Sequence, residues 1–352
     1  MIFDKLRNRG GETAVAEVRP EVAEAERLEA EGDLYGAIDV LSAANRAERD
    51  TDLELRIRHL RHLAGARLLE DAPSDPSYAE PAGELPDPGE QSRIPEVTPD
   101  QLTAGILRAG MLEYGCLLVR GLIDPGKAAW IAAGIDHAFE VRDRLSWGEA
   151  DPDGYYSEMT PEDPFEIGGR NWVAEGGGVL AADSPRLLFA MLESFEDAGL
   201  RSVIEEYLGE KPAVSAQKCT LRKATPDVTG GWHQDGSFLG PIRSVNVWLA
   251  LSRCGDVAPS MDVIPKRFDG MVETGTEGAV LDYQVAQAMA EQVAGDAGIV
   301  RPIFNPGDAL LFDHLFLHQT GSDPAMPNPR YAIESWFFGP SAYPVEYAPI
   351  AF

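Results

Sequence analysis

The chain has 352 residues, 44% of them apolar, so it is long enough for one large domain with a sizeable core and a smaller module beside it. Its formal net charge of −28 repels nucleic acids and anionic membranes, which argues against both as partners. Three widely spaced cysteines, no secretory h-region and no apolar run of roughly 18 residues exclude a disulfide scaffold and a membrane span, and predict a cytoplasmic protein.

Helical spacing dominates the first zone, residues 1–70. Apolar side chains recur there at steps of three and four, and Gly32 and Asp33 interrupt the pattern, which predicts a helical hairpin followed by a third helix. Residues 32–38 resemble the turn and second helix of one tetratricopeptide repeat. A single repeat cannot bury its own apolar face. We therefore expect these helices to pack on the rest of the chain, on another copy of it or on a protein partner, with a plain helical extension as the simpler alternative.

Two further zones follow. Residues 71–97 are rich in proline, acidic residues and serine without periodicity, which is typical of a linker. Residues 98–352 begin with helical patterns and change near Ala213 to short strands separated by turns, with clear alternation over residues 244–251. This order predicts an α+β domain with a β-barrel or jelly-roll core braced by helices. Residues 146–182 are irregular and predict a long functional loop, with a lid as one interpretation.

The chemistry is concentrated in two segments. His233 and Asp235 are two residues apart, so on a strand their side chains point to the same side. They would supply two-thirds of a site in which two histidines and one carboxylate hold a metal. The third ligand is expected at the end of a later apolar strand, residues 305–318, where His318 closes the strand. His314 lies four residues earlier, would share a strand face with His318, and is the alternative ligand.

An arginine follows the second segment. Arg330 lies twelve residues after His318 and opens the apolar strand 331–337. An arginine on a neighbouring strand binds a carboxylate through two parallel hydrogen bonds, which is what the distal carboxylate of 2-oxoglutarate requires. Arg222, Lys223 and Arg243 flank the strands near the expected site, and either meet an anionic substrate or are surface charges.

These motifs together resemble the phytanoyl-CoA dioxygenase family over about residues 98–340. The shared features are the His-x-Asp motif, the Gly-Asp turn of residues 307–308, the later histidine and the arginine after it; Trp232 and Gln234 also match. The resemblance implies a double-stranded β-helix of the jelly-roll or cupin type. It also implies Fe(II), 2-oxoglutarate and O2 as cofactor and cosubstrates. The implied metal ligands are His233, Asp235 and His318, and the implied cosubstrate residues are Arg330, Thr320 and Trp248.

The activity implied by the resemblance is hydroxylation of an aliphatic C–H bond in a small-molecule metabolite, with release of succinate and CO2. Residues 264–268 lack the Pro-Gly-Ser-His turn common in the family, so no particular substrate is implied. Desaturation and cyclisation stay open. Two other classes remain: a metal-dependent hydrolase built on the same triad, which would not need Arg330, and a non-catalytic scaffold that binds a partner through its N-terminal helices.

Overall fold

The protein is represented by a computed structural model that describes residues 19–145, 151–228, 230–240, 242–344 and 346–352. Part of the predicted 146–182 loop, residues 146–150, lies outside this range. The helices are α1 (Pro20–Ala30), α2 (Leu34–Ala47), α3 (Thr51–Glu70), α4 (Ala104–Tyr114), α5 (Pro125–Arg144), α6 (Arg170–Glu175), α7 (Pro185–Asp197), α8 (Leu200–Leu208), α9 (Gly236–Leu239) and α10 (Gln287–Ala294). The strands are β1 (Glu96–Val97), β2 (Cys116–Val119), β3 (Gly178–Leu180), β4 (Ala213–Ala224), β5 (Ser244–Ala250), β6 (Ser260–Val263), β7 (Ala309–Phe312), β8 (His318–Gly321), β9 (Arg330–Phe338) and β10 (Pro349–Ala351).

The N-terminal helices form where the sequence pattern predicts them. Gly32 makes the turn between α1 and α2 with φ of 83°, a conformation that glycine adopts without a steric penalty. The Asp33 carboxylate then accepts a hydrogen bond from the Gly36 amide at 2.9 Å and caps α2. Asp50 caps α3 in the same way through the Asp52 amide, at 2.8 Å.

Helix α3 makes buried contacts between this module and the rest of the chain. Arg61 donates to the Ala351 carbonyl at 2.9 Å, and His62 Nδ1 donates to the Pro349 carbonyl at 2.8 Å, so α3 is tied to β10. Phe189 of α7 belongs to the same apolar cluster as the three N-terminal helices. The helices therefore pack on the rest of the chain, one of the expected arrangements. Independence of the 1–70 module and the 71–97 linker from the 98–352 domain stays a prediction.

A large mixed sheet carries the catalytic part of the fold. Its strands run in the order β1-β2-β7-β5-β9-β4-β10, and β3 also pairs with β4. Alternation along β5 explains its two faces: Val245, Val247 and Leu249 pack against the cluster that includes α4, α5, α7 and α8, whereas Trp248 and Ala250 face the opposite side. Helices α4, α5, α7 and α8 therefore cover one face of the sheet.

A second, two-stranded sheet faces the other side. Strands β6 and β8 pair antiparallel, and Met261 and Val263 of β6 share an apolar interior with Trp248 and Trp336 of the large sheet. Two facing sheets around a common interior make the predicted double-stranded β-helix, and the α+β class is confirmed. Among the described residues, none of the helices combines the length and apolar character that crossing a bilayer requires.

One strand prediction is wrong. The sequence pattern predicts a continuous strand that ends at His318, but β7 ends at Phe312 and His318 begins β8 in the other sheet. The intervening residues 313–317 form a turn, in which Asp313 Oδ1 accepts a hydrogen bond from the Leu315 amide at 2.9 Å. The turn carries the chain from the large sheet to the small one. Apolar residues continue through it because Phe316 and Leu317 remain buried.

Candidate functional site

Three side chains converge at the end of the small sheet. His233 and His318 exchange backbone hydrogen bonds of 2.9 and 3.1 Å, and Asp235 follows at the start of the short helix α9. Nitrogen and carboxylate atoms of His233, Asp235 and His318 all lie within 4.8 Å of one another. The predicted residues are thus brought together, although the expected reason is wrong: His233 occupies an isolated bridge and Asp235 has helical backbone angles, so the two do not share a strand.

Both imidazoles are held by the same kind of hydrogen bond. His233 Nδ1 lies 2.8 Å from the Gly231 carbonyl, and His318 Nδ1 lies 3.0 Å from the Phe316 carbonyl. A carbonyl oxygen only accepts hydrogen bonds, so Nδ1 carries a proton in each ring, and in the neutral ring Nε2 is the nitrogen with the free lone pair. Metal-binding histidines are typically oriented through such a bond at the other ring nitrogen.

The electrostatics favour a cation between the three groups. Burial, and then the neighbouring His233 ring, lower the pKa of His318 to about 4, so its Nε2 is unprotonated at neutral pH. The nearest Asp235 oxygen lies 3.7 Å from that nitrogen. Two imidazole nitrogens and one carboxylate suit a divalent ion of the first transition row and leave the opposite positions free for other ligands.

His314 does not join this group. It lies in the turn before β8, where its carbonyl accepts a hydrogen bond from the Gly236 amide at 2.9 Å. Its buried Nδ1 has no hydrogen-bond partner among the described residues. The expectation that His314 and His318 share a strand face is wrong because the turn intervenes, and this supports His318 as the third ligand.

Arg330 lies in the interior beside the small sheet. It is 4% exposed, and its guanidinium carbon lies 5.4 Å from the centre of the Trp248 ring. Nη1 donates to the Ser260 carbonyl at 3.0 Å, while the buried Nε has no partner in the described chain. Thr320 follows His318 by two residues on β8 and pairs with Met261 of β6. Arg330 is therefore a buried cation with an unsatisfied donor.

The same face of β9 carries a carboxylate that the sequence analysis did not single out. Glu334 Oε2 accepts hydrogen bonds from Thr220 at 2.9 Å and from Arg222 Nε at 3.0 Å. Burial raises the pKa of Glu334, but the guanidiniums of Arg222 and Arg330 outweigh it and hold that pKa below its ordinary value. The period of two from Arg330 to Glu334 is the signal that could have identified it.

The three flanking cations have different surroundings. Arg222 pairs with Glu334 inside the site, as just described. Lys223 pairs with Asp136 at 2.6 Å on the helix-covered side, and Arg243 pairs with Glu210 at 3.1 Å. Of these three cations, the structure therefore brings only Arg222 to the site.

Lys218 is a fourth cation, which the sequence analysis missed. Its Nζ lies 4.6 Å from the centre of the Phe238 ring and 5.7 Å from that of Tyr347. The Phe238 ring in turn stacks on His233, with 6.3 Å between ring centres. Lys218 lies in an irregular stretch of β4, so the alternation of a regular strand could not have shown which way its side chain points.

A double-stranded β-helix that holds two histidines, one carboxylate and a buried arginine beside them defines the class of non-haem metal oxygenases with a facial triad. The family model for phytanoyl-CoA dioxygenase (PhyH) matches residues 111–323, which is more than half of the chain. The chain therefore belongs to the phytanoyl-CoA dioxygenase family. Membership places it among dioxygenases that use iron and 2-oxoglutarate.

Several solved structures are similar in fold. EctD from S. alaskensis, crystallised with 2-oxoglutarate and 5-hydroxyectoine, is 17% identical, with a TM-score of 0.48 and coverage of 77% of this chain and 90% of that one. The carbocyclase SnoK from nogalamycin biosynthesis is 14% identical, with a TM-score of 0.45 and coverage of 68% and 85%. AviO1 from Streptomyces viridochromogenes Tue57 is 15% identical, with a TM-score of 0.43 and coverage of 69% and 98%. Nothing about the substrate follows from these likenesses. No curated protein matches the sequence.

Proposed function

We propose that the protein is an Fe(II)- and 2-oxoglutarate-dependent dioxygenase that hydroxylates an aliphatic C–H bond of a small-molecule metabolite and releases succinate and CO2. The observation that carries the proposal is the convergence of His233, Asp235 and His318, whose ligand atoms lie within 4.8 Å of one another. Both histidine Nε2 atoms are available, since each Nδ1 is bound to a carbonyl.

The donor set fits iron(II). Two imidazole nitrogens and one carboxylate oxygen would hold the ion on one side and leave the other side open. Iron(II), when bound there, supplies oxygen activation coupled to decarboxylation of 2-oxoglutarate. The chain's own contribution is to position the ligands and to exclude water. The ring centres of Phe312 and Phe316 lie 5.0 and 6.0 Å from that of His318, so aromatic side chains cover one side of that ligand.

Arg330 fits the second carboxylate of 2-oxoglutarate. Within the described part of the chain, the buried guanidinium has one acceptor, the Ser260 carbonyl, and its Nε has no partner, which leaves donors for an anion. Trp248 supports the guanidinium plane, and Thr320 offers a hydroxyl two residues beyond His318. A hydrolytic metal site has no use for such an arginine, so Arg330 favours the oxygenase over the hydrolase alternative.

The cysteines, the helical module and the net charge bear on the compartment and the partners of the protein. The three cysteines are free and buried, which suits a reducing cytoplasm. The helical module covers β10 through α3, and its exposed side remains available for self-association or for a protein partner. The strong negative charge repels nucleic acids and anionic membranes, which argues against both as partners.

The test uses the anaerobic protein with iron(II). Adding 2-oxoglutarate should produce a metal-to-ligand charge-transfer band, and admitting air together with a set of small metabolites should release succinate with uptake of O2. An inert scaffold would give neither signal. A hydrolase would bind metal but give no 2-oxoglutarate band, and that result would move the assignment to hydrolysis.

A further inference from the structure

Lys218 lies beside the site, and the proposed function assigns it no role. Burial lowers the pKa of Lys218, and the attraction of Asp235 and Glu334 opposes this shift, yet no carboxylate of the described residues forms an ion pair with the ammonium. Both nearby carboxylates are already engaged, Asp235 in the triad and Glu334 with Thr220 and Arg222. A half-buried cation without an anion is costly to keep unless a ligand supplies the anion.

The backbone turns this side chain toward the site. From Val214 to Cys219 strand β4 advances five residues while β9 advances two, from Phe337 to Ser335. Such a bulge re-aims side chains, and bulges are common next to active sites. Here it brings the ammonium against Phe238, whose ring lies between Lys218 and the His233 ring.

A second unsatisfied group lies across the same row of the sheet. Asn246 of β5 pairs with Trp336 of β9, and the bulge of β4 flanks Trp336 on its other side. The Asn246 side chain points inward because it shares a face with Trp248. Its amide oxygen is buried and has no partner within the described chain. Among the described residues, a buried amide oxygen without a partner and an ammonium without an ion pair lie in one row, which indicates that a polar ligand completes it.

We infer that Lys218 binds an anionic group, a carboxylate, of the primary substrate, and that Phe238, Tyr347 and Tyr283 line the position of the substrate's apolar part. Tyr283 contacts Phe238 edge-on at 5.7 Å, and Phe238 is 41% exposed, so the aromatic group forms the rim beside the metal ligands. The inference rests on the proposed function, because it assigns the substrate of that same site.

The cosubstrate is the other possible source of a carboxylate, and it is bound elsewhere. Arg330 pairs with Ala224 on β4, so its backbone lies about 20 Å along the extended strand from the backbone of Lys218, and the two side chains would have to turn toward each other to share one ligand. A five-carbon acid spans only about 5 Å between its terminal carbons, at about 1.5 Å per bond. We therefore expect 2-oxoglutarate to engage Arg330 and the metal without reaching Lys218.

The experiment compares benzoate with benzamide, which have the same shape but differ in charge, by ligand-observed NMR titration of the full-length, metal-free protein. Benzoate should bind at least about tenfold more tightly than benzamide, as for one charged hydrogen bond. Lys218→Met should reduce benzoate affinity to the benzamide level, and Lys218→Arg should retain most of it. Lys223→Met is the matched control on the same strand, where the lysine pairs with Asp136, and should change nothing.

Further results show whether the carboxylate binds at Lys218 or at Arg330. Arg330→Ala separates the two sources: benzoate that still binds more tightly than benzamide in that variant supports Lys218, whereas a fall of benzoate affinity to the benzamide level would place the anion at Arg330 and overturn the inference. Equal affinity of the wild type for the two probes, or benzoate binding that survives Lys218→Met, would also overturn it. The wild-type comparison needs no variant to fold. Because these titrations contain no iron, they can fail or succeed independently of the 2-oxoglutarate charge-transfer band that tests the proposed function.

Discussion

Arg330→Ala is the most informative substitution for the proposed cosubstrate site. Arg330 is buried, lies on Trp248 and donates to the Ser260 carbonyl at 3.0 Å, and its Nε has no partner among the residues that the structure describes. Burial lowers the pKa of this arginine, as expected for a cation that no carboxylate fully compensates in the free protein. The alanine variant removes the cation without touching His233, Asp235 or His318.

The expected loss of 2-oxoglutarate affinity follows from the hydrogen bonds that its carboxylate would lose. Removing one partner of a buried, hydrogen-bonded charge pair costs about 2–5 kcal/mol, much of it the penalty of leaving the other charge unpaired. At about 1.4 kcal/mol per factor of ten, the dissociation constant for 2-oxoglutarate should rise roughly 30-fold to several thousand-fold. Thr320→Val removes one hydrogen bond only and should weaken binding about tenfold.

Titration of 2-oxoglutarate into the anaerobic iron(II) protein, followed by the charge-transfer band, measures both variants. Iron affinity, measured separately by equilibrium dialysis, should stay close to that of the wild type. Arg330→Lys keeps the charge but not the paired donors and should fall between wild type and alanine. A 2-oxoglutarate midpoint that does not move in Arg330→Ala would refute the assignment and favour a hydrolytic metal site.

Three other predictions concern the metal, the docking of α3 and a buried histidine. His318→Ala should abolish binding of micromolar iron(II), whereas His314→Ala should retain it; the reverse result in equilibrium dialysis would show that the ligand lies in the turn before β8. Gly65→Ala should lower the unfolding free energy by about 1–3 kcal/mol, because the new methyl carbon would lie 2.9 Å from the Pro349 backbone. If α3 were not docked, urea titration would instead show a gain of up to about 1 kcal/mol from helix propensity. Burial lowers the pKa of His62. Below about pH 6.5 the unfolded chain therefore takes up a proton that the folded chain does not, and the free energy of unfolding decreases as the pH is lowered. His62→Gln should make the urea midpoint less dependent on pH there; an unchanged slope would contradict this.

Local features of the sequence were sufficient for much of this description. The N-terminal helices follow from three- and four-residue spacing with the Gly32 turn and the Asp33 and Asp50 caps, all of which act within a few residues. The pattern over β5 was recognisable because successive side chains of a strand point to opposite faces, and both faces of this strand are buried. His233, Asp235 and His318 were identifiable because few residue types bind iron, and their order and spacing matched a known family.

The tertiary structure decided how those residues meet. Periodicity predicted one strand that ends at His318, but burial of apolar residues is required in a turn between two sheets as much as in a strand, so the pattern could not reveal the crossing after Phe312. Periodicity also could not show which way the Lys218 side chain points. Strand β4 has three more residues than β9 over this stretch, so side chains there no longer alternate regularly between the two faces. Nor does local sequence place the Lys218 ammonium beside Phe238 or the Arg330 guanidinium against the Ser260 carbonyl. Those relations join residues far apart in the chain, and only the packing of the two sheets brings them within reach of one another.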